Sequence, residues 1–434
     1  MSIATEPRLV QKLEGAPWEI EGYLKVGGYE AWKRCVDGLK AEDVVAELKK
    51  AGLRGRGGAG FPTGVKWDKV LNHRVKEHYF VCNAGEHEPG TFKDRYLLKT
   101  LPHQLIEGCL IAAHTVQAKA AFIYANHEYE EERENLKKAI AQARARGFLG
   151  KNVLGKGYDI ELEVFEGHGS YVAGEETAML ESMQGRPAMP RQKPPFYPTD
   201  FGLYGKPTLV NNVETLCNIP RILYKGAAWF TQVGTEKCPG TMMFSLSGSV
   251  NRPGVYEMPM GVTIRELVFE HAGGMRSDKP LKAFIPGGAS APFLTPDHLD
   301  VKLDFESVAA AGSMLGSGGV TVMEEGTSMV WAALRLMEFF YHESCGKCSP
   351  CREGSSWLVQ TMRRIMAKRG RMQDLETLTD LCKNIAGRTV CAFGDAEVSP
   401  IMSTLKHWRH EYVTLIHEAE AANLIRPESA GTRH

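Results

Sequence analysis

The segment Tyr79-Phe80-Val81-Cys82-Asn83-Ala84-Gly85-Glu86-His87-Glu88-Pro89-Gly90 is a short apolar run that stops at a polar, glycine-bearing turn. An unbroken apolar run bounded by turn residues is the pattern of a buried strand. A helix is expected next, from about Arg95 through Ala113. The pattern then repeats. Ala121-Phe122-Ile123-Tyr124 reads as a second strand, a strongly charged helix runs from about Tyr129 to Ala145, and Ile160 to Phe165 alternates apolar and acidic residues like a half-exposed strand. Upstream, Val44, Val45 and Leu48 share one helix face. This alternation, from about Ala41 to Gly226, predicts a Rossmann-like α/β sandwich on a largely parallel sheet. The stretch Pro187 to Pro198 is too rich in proline for regular structure and is expected to be an extended loop.

Two further regions follow. Met243 to Gly248 reads as a strand, Asn251-Arg252-Pro253-Gly254 as a turn, and Val255-Tyr256-Glu257 as a strand pairing back. Thr263 is placed to cap a helix through His271 that stops at Gly273-Gly274, and Leu281 to Ile285 is another strand. Such a module is α+β and resembles a β-grasp fold. From about Ser328 the chain is helical: Met329, Ala332, Ala333, Leu336, Phe339 and Phe340 keep helical spacing, as do Leu375, Leu378, Leu381, Cys382 and Ile385. The expected division is 1–240, 241–327 and 328–434, with a loose polar tail from about Ala421.

Composition narrows the function. Lys plus Arg and Asp plus Glu both count 52, so nothing advertises nucleic acid or an acidic membrane surface. Ten cysteines in 434 residues are too few for a disulfide scaffold. Met1 to Pro7 lacks the basic and apolar pattern of a signal peptide. The most apolar stretch, Met329 to Phe340, is interrupted by Arg335 and Glu338, so no span of about 18 apolar residues exists. A cytosolic enzyme that does not insert into a membrane is the expectation.

The chemistry concentrates in a few places. Cys345, Cys348 and Cys351 stand at C-x-x-C-x-x-C spacing, with Cys391 downstream. Three close thiolates and one remote one can cap the corners of a [4Fe–4S] cubane. Structural zinc prefers two separated pairs of ligands, and unligated thiols near a helix end are the bland alternative. Cys391 is favoured over Cys382 as the fourth ligand. Cys382 lies on an apolar helix face, whereas Cys391 follows the helix stop at Gly387 and precedes a turn at Gly394-Asp395.

The other rich segment runs from Gly52 to Trp67, and six of the thirteen residues from Gly52 to Gly64 are glycine, with Arg54, Arg56 and Lys66 close by. A glycine backbone can approach a flat or phosphorylated ligand and point N–H groups at phosphate. Gly55-x-Gly57-x-x-Gly60 fits the dinucleotide fingerprint in form only, because a helix and not a strand precedes it. A flexible hinge would explain the glycines but not the interleaved cations and aromatics. Ligands of α/β sheets collect at strand ends. There, Asn83, Glu86 and Glu88 could bind hydroxyls or a ring edge, or form a solvated turn. After the strand at Phe165, Gly174, Glu175 and Glu176 are candidates too, although helix capping partly explains the carboxylates. His168 reads as structural.

The runs R-G-R-G-G-A-G-F-P-T-G-V-K-W (Arg54 to Trp67), C-N-A-G-E-H-E-P-G-T-F-K-D-R (Cys82 to Arg95), G-E-E-T-A (Gly174 to Ala178), P-T-L-V-N-N-V-E-T (Pro207 to Thr215) and S-C-G-K-C-S-P-C-R (Ser344 to Arg352) occur in this order. Together they resemble the NADH-oxidising flavoprotein subunits of respiratory complex I, which in bacteria is NADH-quinone oxidoreductase. The resemblance implies FMN, NADH and one [4Fe–4S] cluster held by Cys345, Cys348, Cys351 and Cys391. It implies FMN contacts from Gly55, Arg56, Gly57, Gly58, Lys66, Asn83, Glu86, Gly174, Glu175, Glu176, Asn211, Asn212 and Thr215. Phe61 and Phe196 would stack on the adenine, with Glu88 and Lys193 holding the dinucleotide, and Glu88 and Glu176 are the candidate catalytic carboxylates. The chain departs from the family at Gly85, often acidic there, and at Lys69, often aromatic. The small module would be of the SLBB type. The implied partners are a thioredoxin-like [2Fe–2S] subunit and a large multi-cluster iron–sulfur subunit. The implied place is cytoplasmic, peripheral to the inner membrane through the complex. The nearest alternative is the flavin subunit of a soluble NAD-linked hydrogenase or formate dehydrogenase. A non-enzymatic iron–sulfur scaffold is a different class, distinguished by the absence of flavin.

Overall fold

The computed structural model describes residues 7–421. The expectations about the chain start and about the tail beyond residue 421 lie outside the described residues.

Two short helices open the chain, α1 (Ile20–Lys25) and α2 (Glu30–Val36). They are held by one buried carboxylate. Glu107 accepts from the Tyr23 hydroxyl at 2.5 Å, the Tyr29 N–H at 2.8 Å and the Trp32 N–H at 3.0 Å. Then α3 (Ala41–Ala51) buries Val44, Val45 and Leu48 and stops at Gly52, whose φ of 63° suits a residue without Cβ. After the glycine-rich loop comes α4 (Thr63–Leu71).

The α/β layer alternates as expected: β1 (His78–Ala84), α5 (Lys93–Thr100), α6 (Pro102–Thr115), β2 (Ala118–Ala125), α7 (Glu130–Ala145), β3 (Leu162–Glu166), α8 (Glu176–Met183), α9 (Pro198–Phe201), β4 (Thr208–Asn212), α10 (Val213–Lys225) and α11 (Ala227–Phe230). The four strands are parallel in the order β3-β2-β1-β4. β1 is central and buried at every position but Asn83, which accounts for its unbroken apolar run. The single helix expected from Arg95 to Ala113 is two. Pro102 has no N–H to give a preceding turn, so α5 ends at Thr100 and α6 starts with proline in its first turn.

The second sheet is mixed, in the order β6-β5-β8-β7, from β5 (Thr241–Gly248), β6 (Gly254–Pro259), β7 (Leu281–Ile285) and β8 (Gly319–Glu324), with α12 (Phe305–Ala310) before the last strand. Thr263 and Glu266 exchange the reciprocal bonds of a capping box, Glu266 N–H to Thr263 Oγ1 at 3.1 Å and Thr263 N–H to the Glu266 carboxylate at 2.8 Å. Five helices follow: α13 (Met329–Glu343), α14 (Ser349–Met366), α15 (Met372–Ile385), α16 (Phe393–His407) and α17 (Arg409–Ala421). Here a second expectation is corrected. Gly394 and Asp395 are not a turn but lie in the first turn of α16. A Cβ on Gly394 would stand 2.4 Å from the Thr389 hydroxyl oxygen, so glycine serves close packing there.

Candidate functional site

The glycine-rich loop is a closed hairpin between α3 and α4. Gly55 N–H donates to Phe61 O at 2.9 Å and Thr63 N–H to Leu53 O at 2.8 Å. Gly60 has φ +62°, and a Cβ there would meet the Phe305 ring at 2.8 Å. Among the described residues the N–H groups of Gly57, Gly58 and Ala59 find no protein acceptor, and Gly57 and Ala59 are exposed. A run of open amides is a cradle for anionic oxygen.

The arginines of this loop do not face that cradle, contrary to the expectation from sequence. Arg56 is fully buried; its guanidinium donates to Thr241 O at 3.0 Å and lies 3.9 Å from Glu214. Even its N–H is committed, to Thr215 Oγ1 at 2.8 Å. Arg54 pairs with Glu306 and stacks 4.4 Å over Phe305. Arg56 ties the loop to β5 and Arg54 ties it to α12, and the Arg56 side chain is fully buried rather than exposed at the open amides.

The third cation of the segment, Lys66 in α4, instead meets the carboxylate at the start of α8. Its ammonium donates to Val210 O at 3.1 Å and to Glu176 at 3.2 Å. Lys193 approaches from the proline-rich loop, 2.6 Å from Glu175 and 3.5 Å from Glu176. Burial alone would raise the Glu176 carboxyl, but Lys66 and Lys193 outweigh it and hold it below its ordinary value. Glu175 also caps α8, accepting from Thr177 and Ala178 N–H, both at 2.9 Å.

Other candidates serve the frame of the pocket. Asn83 donates to Gly174 O at 2.9 Å, tying the end of β1 to the segment before α8. Asn211 accepts from the Trp67 indole at 2.8 Å, and Asn212 caps α10 and donates to Asp94 at 2.5 Å. Glu86 accepts from Asp94 and Arg95 N–H at 2.9 and 3.0 Å, at the start of α5; burial and Asp94 push it up to about 7. Phe61 and Phe196 stand open, 52% and 40% exposed. Lys69 is paired with Asp200 at 2.5 Å and lies 5.5 Å from the Tyr197 ring centre.

Glu88 is held between two other parts of the chain. Its carboxylate accepts from Ser290 N–H and Oγ, both 2.7 Å, and from the Tyr171 hydroxyl at 2.6 Å; burial raises it. Sequence reasoning missed both Tyr171 and Ser290. The one signal for Tyr171 was its place five residues ahead of Glu176, and Ser290 had none. The Tyr171 ring packs edge-on to Phe339, Phe340 and Phe393, which belong to the helical region.

Beyond these rings, Cys345, Cys348, Cys351 and Cys391 line one cavity with Val172, Thr389, Phe393 and Gly394. Cys382 is elsewhere, in the helical core beside Leu378 and Ile385, and burial pushes its thiol up to about 12. Burial pushes Cys391 up to about 11, and coordination to a metal is what removes such a proton. Among the described residues no group of three or more ligating side chains converges on a single ion. Four thiols ringing a cavity fit a cubane better than a lone tetrahedral ion. The open amides and the cysteine ring thus suit a flavin phosphate and an iron–sulfur cluster, respectively.

Comparison with known proteins decides the family. Residues 48–221 match the family model described as Nuo51 FMN-binding domain, residues 243–294 an SLBB domain, and residues 331–415 the NADH-ubiquinone oxidoreductase-F iron-sulfur binding region. The second F-type subunit of NADH-quinone oxidoreductase in Rhizobium meliloti (strain 1021) is 49% identical over 396 residues, 91% of this chain and 94% of that protein. The chain belongs to the F-type subunit family of NADH-quinone oxidoreductase. The corresponding Escherichia coli (strain K12) protein is 45% identical, over 91% of this chain and 89% of its own. Membership makes the chain an NADH dehydrogenase subunit that uses FMN and a [4Fe–4S] cluster, a component of respiratory complex I. The fold recurs in an NAD+-reducing [NiFe]-hydrogenase in the air-oxidized state, with TM-score 0.80 and 34% identity over 91% of this chain; the chain spans 64% of that hydrogenase chain. No described helix is long and apolar enough to cross a membrane.

Proposed function

We propose that FMN lies on the open amides of Gly57 and Gly58, with Gly55, Lys66, Gly174, Glu175, Glu176 and Asn212 around it. In this reading NADH enters between Phe61 and Phe196, near Glu88 and Lys193, and Cys345, Cys348, Cys351 and Cys391 hold the [4Fe–4S] cluster. The observation that carries the reading is the short run from Tyr171 to Glu176. Val172 lines the cysteine cavity, while four residues on Glu176 meets Lys66 and Lys193. One short segment therefore runs from the cysteine cavity to the Lys66–Glu176 pair.

FMN, when bound, takes two electrons as a hydride and yields them one at a time to an iron–sulfur acceptor. The chain's residues supply position and charge. Lys66 and Lys193 neutralise Glu176 and Glu175 so that neither repels a dinucleotide phosphate. Glu88, fixed by Ser290 and Tyr171, offers a carboxylate to ribose hydroxyls and opposes a 2′-phosphate. Asn83, Glu86, Asn211 and Thr215 keep the strand ends and loop in register. The working division remains 1–240 for flavin and dinucleotide, 241–327 for the β-grasp-like module, and 328–434 for the cluster. Electrons then leave to a thioredoxin-like [2Fe–2S] subunit and a multi-cluster subunit, with the chain peripheral to the inner membrane on its cytoplasmic side and quinone as final acceptor.

The test uses the purified chain. Acid-released flavin should run as FMN on chromatography, and ferricyanide reduction should favour NADH over NADPH in kcat/KM. Glu88→Gln should narrow that preference by removing the like-charge repulsion. A majority of FAD, or equal use of both donors by the unaltered protein, would show the pocket to be misassigned.

A further inference from the structure

The cysteine cavity is bordered by hydrogen-bond donors whose direction can be fixed. Ser344 immediately follows α13, and its Oγ lies 3.2 Å from Cys351 Sγ. The same Oγ accepts from the Gly346 N–H at 3.4 Å. A thiolate bound to iron has no proton to give, so the hydroxyl hydrogen is the only one available for the Ser344–Cys351 contact. On the other side of the cavity, the Val390 N–H donates to Cys348 Sγ at 3.3 Å, and Cys348 sits at the N-terminus of the eighteen-residue α14, where the helix dipole is positive. Glu397 Oε2, 3.6 Å from Cys351 Sγ, is the other polar side chain at that sulfur.

We propose that Ser344 is a positioning residue that sets the reduction potential of the [4Fe–4S] cluster by donating a hydrogen bond to the Cys351 thiolate. The proposal rests on Cys351 being a cluster ligand. Reduction adds an electron whose charge is shared onto the thiolates. A donor aimed at one of them stabilises the reduced cluster more than the oxidised one and raises the potential. Val390 supplies the same effect to Cys348 through the backbone, which only proline would remove; Ser344 is the half of the pair that a conservative side-chain change can adjust. In this reading the serine favours entry of electrons from the flavin and opposes their onward departure.

The test is an EPR-monitored redox titration of the cluster in the purified flavoprotein, with iron counted in each sample. Ser344→Ala should keep about four irons per chain and titrate at a more negative potential. The expected shift is up to about tenfold in the one-electron equilibrium constant, about 59 mV. Ser344→Thr, which keeps the hydroxyl, should titrate near the unaltered protein. An unshifted Ser344→Ala midpoint overturns the proposal, as does an equal shift in both variants. Iron lost from the alanine variant but kept in the threonine one would assign the hydroxyl to assembly instead, and loss from both would make Ser344 a packing residue. If the unaltered protein itself holds no cluster, the ligand assignment fails rather than the role of Ser344.

Discussion

Cys382 and Cys391 are chemically identical, yet one is packed among Leu378, Ile385 and Ile401 and the other borders the cavity of the remaining three thiols. What each can do follows from what it already touches. Cys382→Ala should therefore leave about four irons per chain, at a stability cost of about 1 kcal/mol for the small void. Cys391→Ala should lose the cluster or leave a degraded one, which iron analysis and EPR would separate. Retained iron in the second variant with loss in the first would reverse the assignment. The cysteines were legible because a three-thiolate spacing is local chemistry written within seven residues, Cys345 to Cys351. Arg56 was not. Its sequence surroundings suggest a phosphate ligand, but its partners at Thr241 and Pro239 lie more than 180 residues away. A spacing rule cannot see which side of a loop will be covered.

Elements were legible where periodicity or an apolar run was strong, as in β1 and α7, and less so where one residue broke a continuous pattern, as Pro102 divides α5 from α6. Least visible was the tie between the start of the chain and the second sheet. Glu257 in β6 accepts from three consecutive N–H groups, Arg8 at 2.7 Å, Leu9 at 2.7 Å and Val10 at 2.8 Å, and from Thr241 Oγ1 at 2.7 Å. Gln104 in α6 then receives this strap by donating to Leu9 O at 3.1 Å. A carboxylate among four donors has no hydrophobic period to announce it. Glu257→Ala would strand donors in part-buried surroundings, each costing roughly 1–3 kcal/mol if water cannot replace the carboxylate. Hydrogen exchange at residues 8–10 should accelerate at least about tenfold while amides of α6 change little. Unchanged protection at 8–10 would show that packing, not Glu257, holds the strap.

Across the whole molecule the layers are joined by apolar clusters, such as Ala283, Ile285 and Phe293 with Met329 and Trp408, and also by buried polar groups. Lys93, Glu214 and Arg56 link the parallel sheet to β5, where Met243 N–H donates to Glu214 at 2.9 Å, and Glu88 links it to Ser290 and Tyr171. Sequence patterns located the separate layers but not these joints, because a buried charge is defined by its distant partner. Buried carboxyls also make stability depend on pH. Burial pushes Glu107 up to about 7 from 4.5, against the pull of its bonds from Tyr23, Tyr29 and Trp32. A carboxyl whose folded value is raised favours the protonated folded state. Its contribution is therefore fully present below about 4.5 and is lost as pH rises through about 7. The shift corresponds to about 3 kcal/mol for this group. Glu86 shifts in the same direction, so the unaltered protein should soften from mildly acidic to neutral pH. Gln at position 107 cannot ionise. Glu107→Gln, whose amide nitrogen cannot accept from a backbone N–H, should melt below the unaltered protein at pH 5 but lose several degrees less than it does between pH 5 and pH 8, since about 1 kcal/mol moves Tm by roughly 2–4 °C in a domain of this size. Parallel Tm curves for the two proteins from pH 5 to pH 8 would show that the three donors, rather than burial, set the protonation of Glu107.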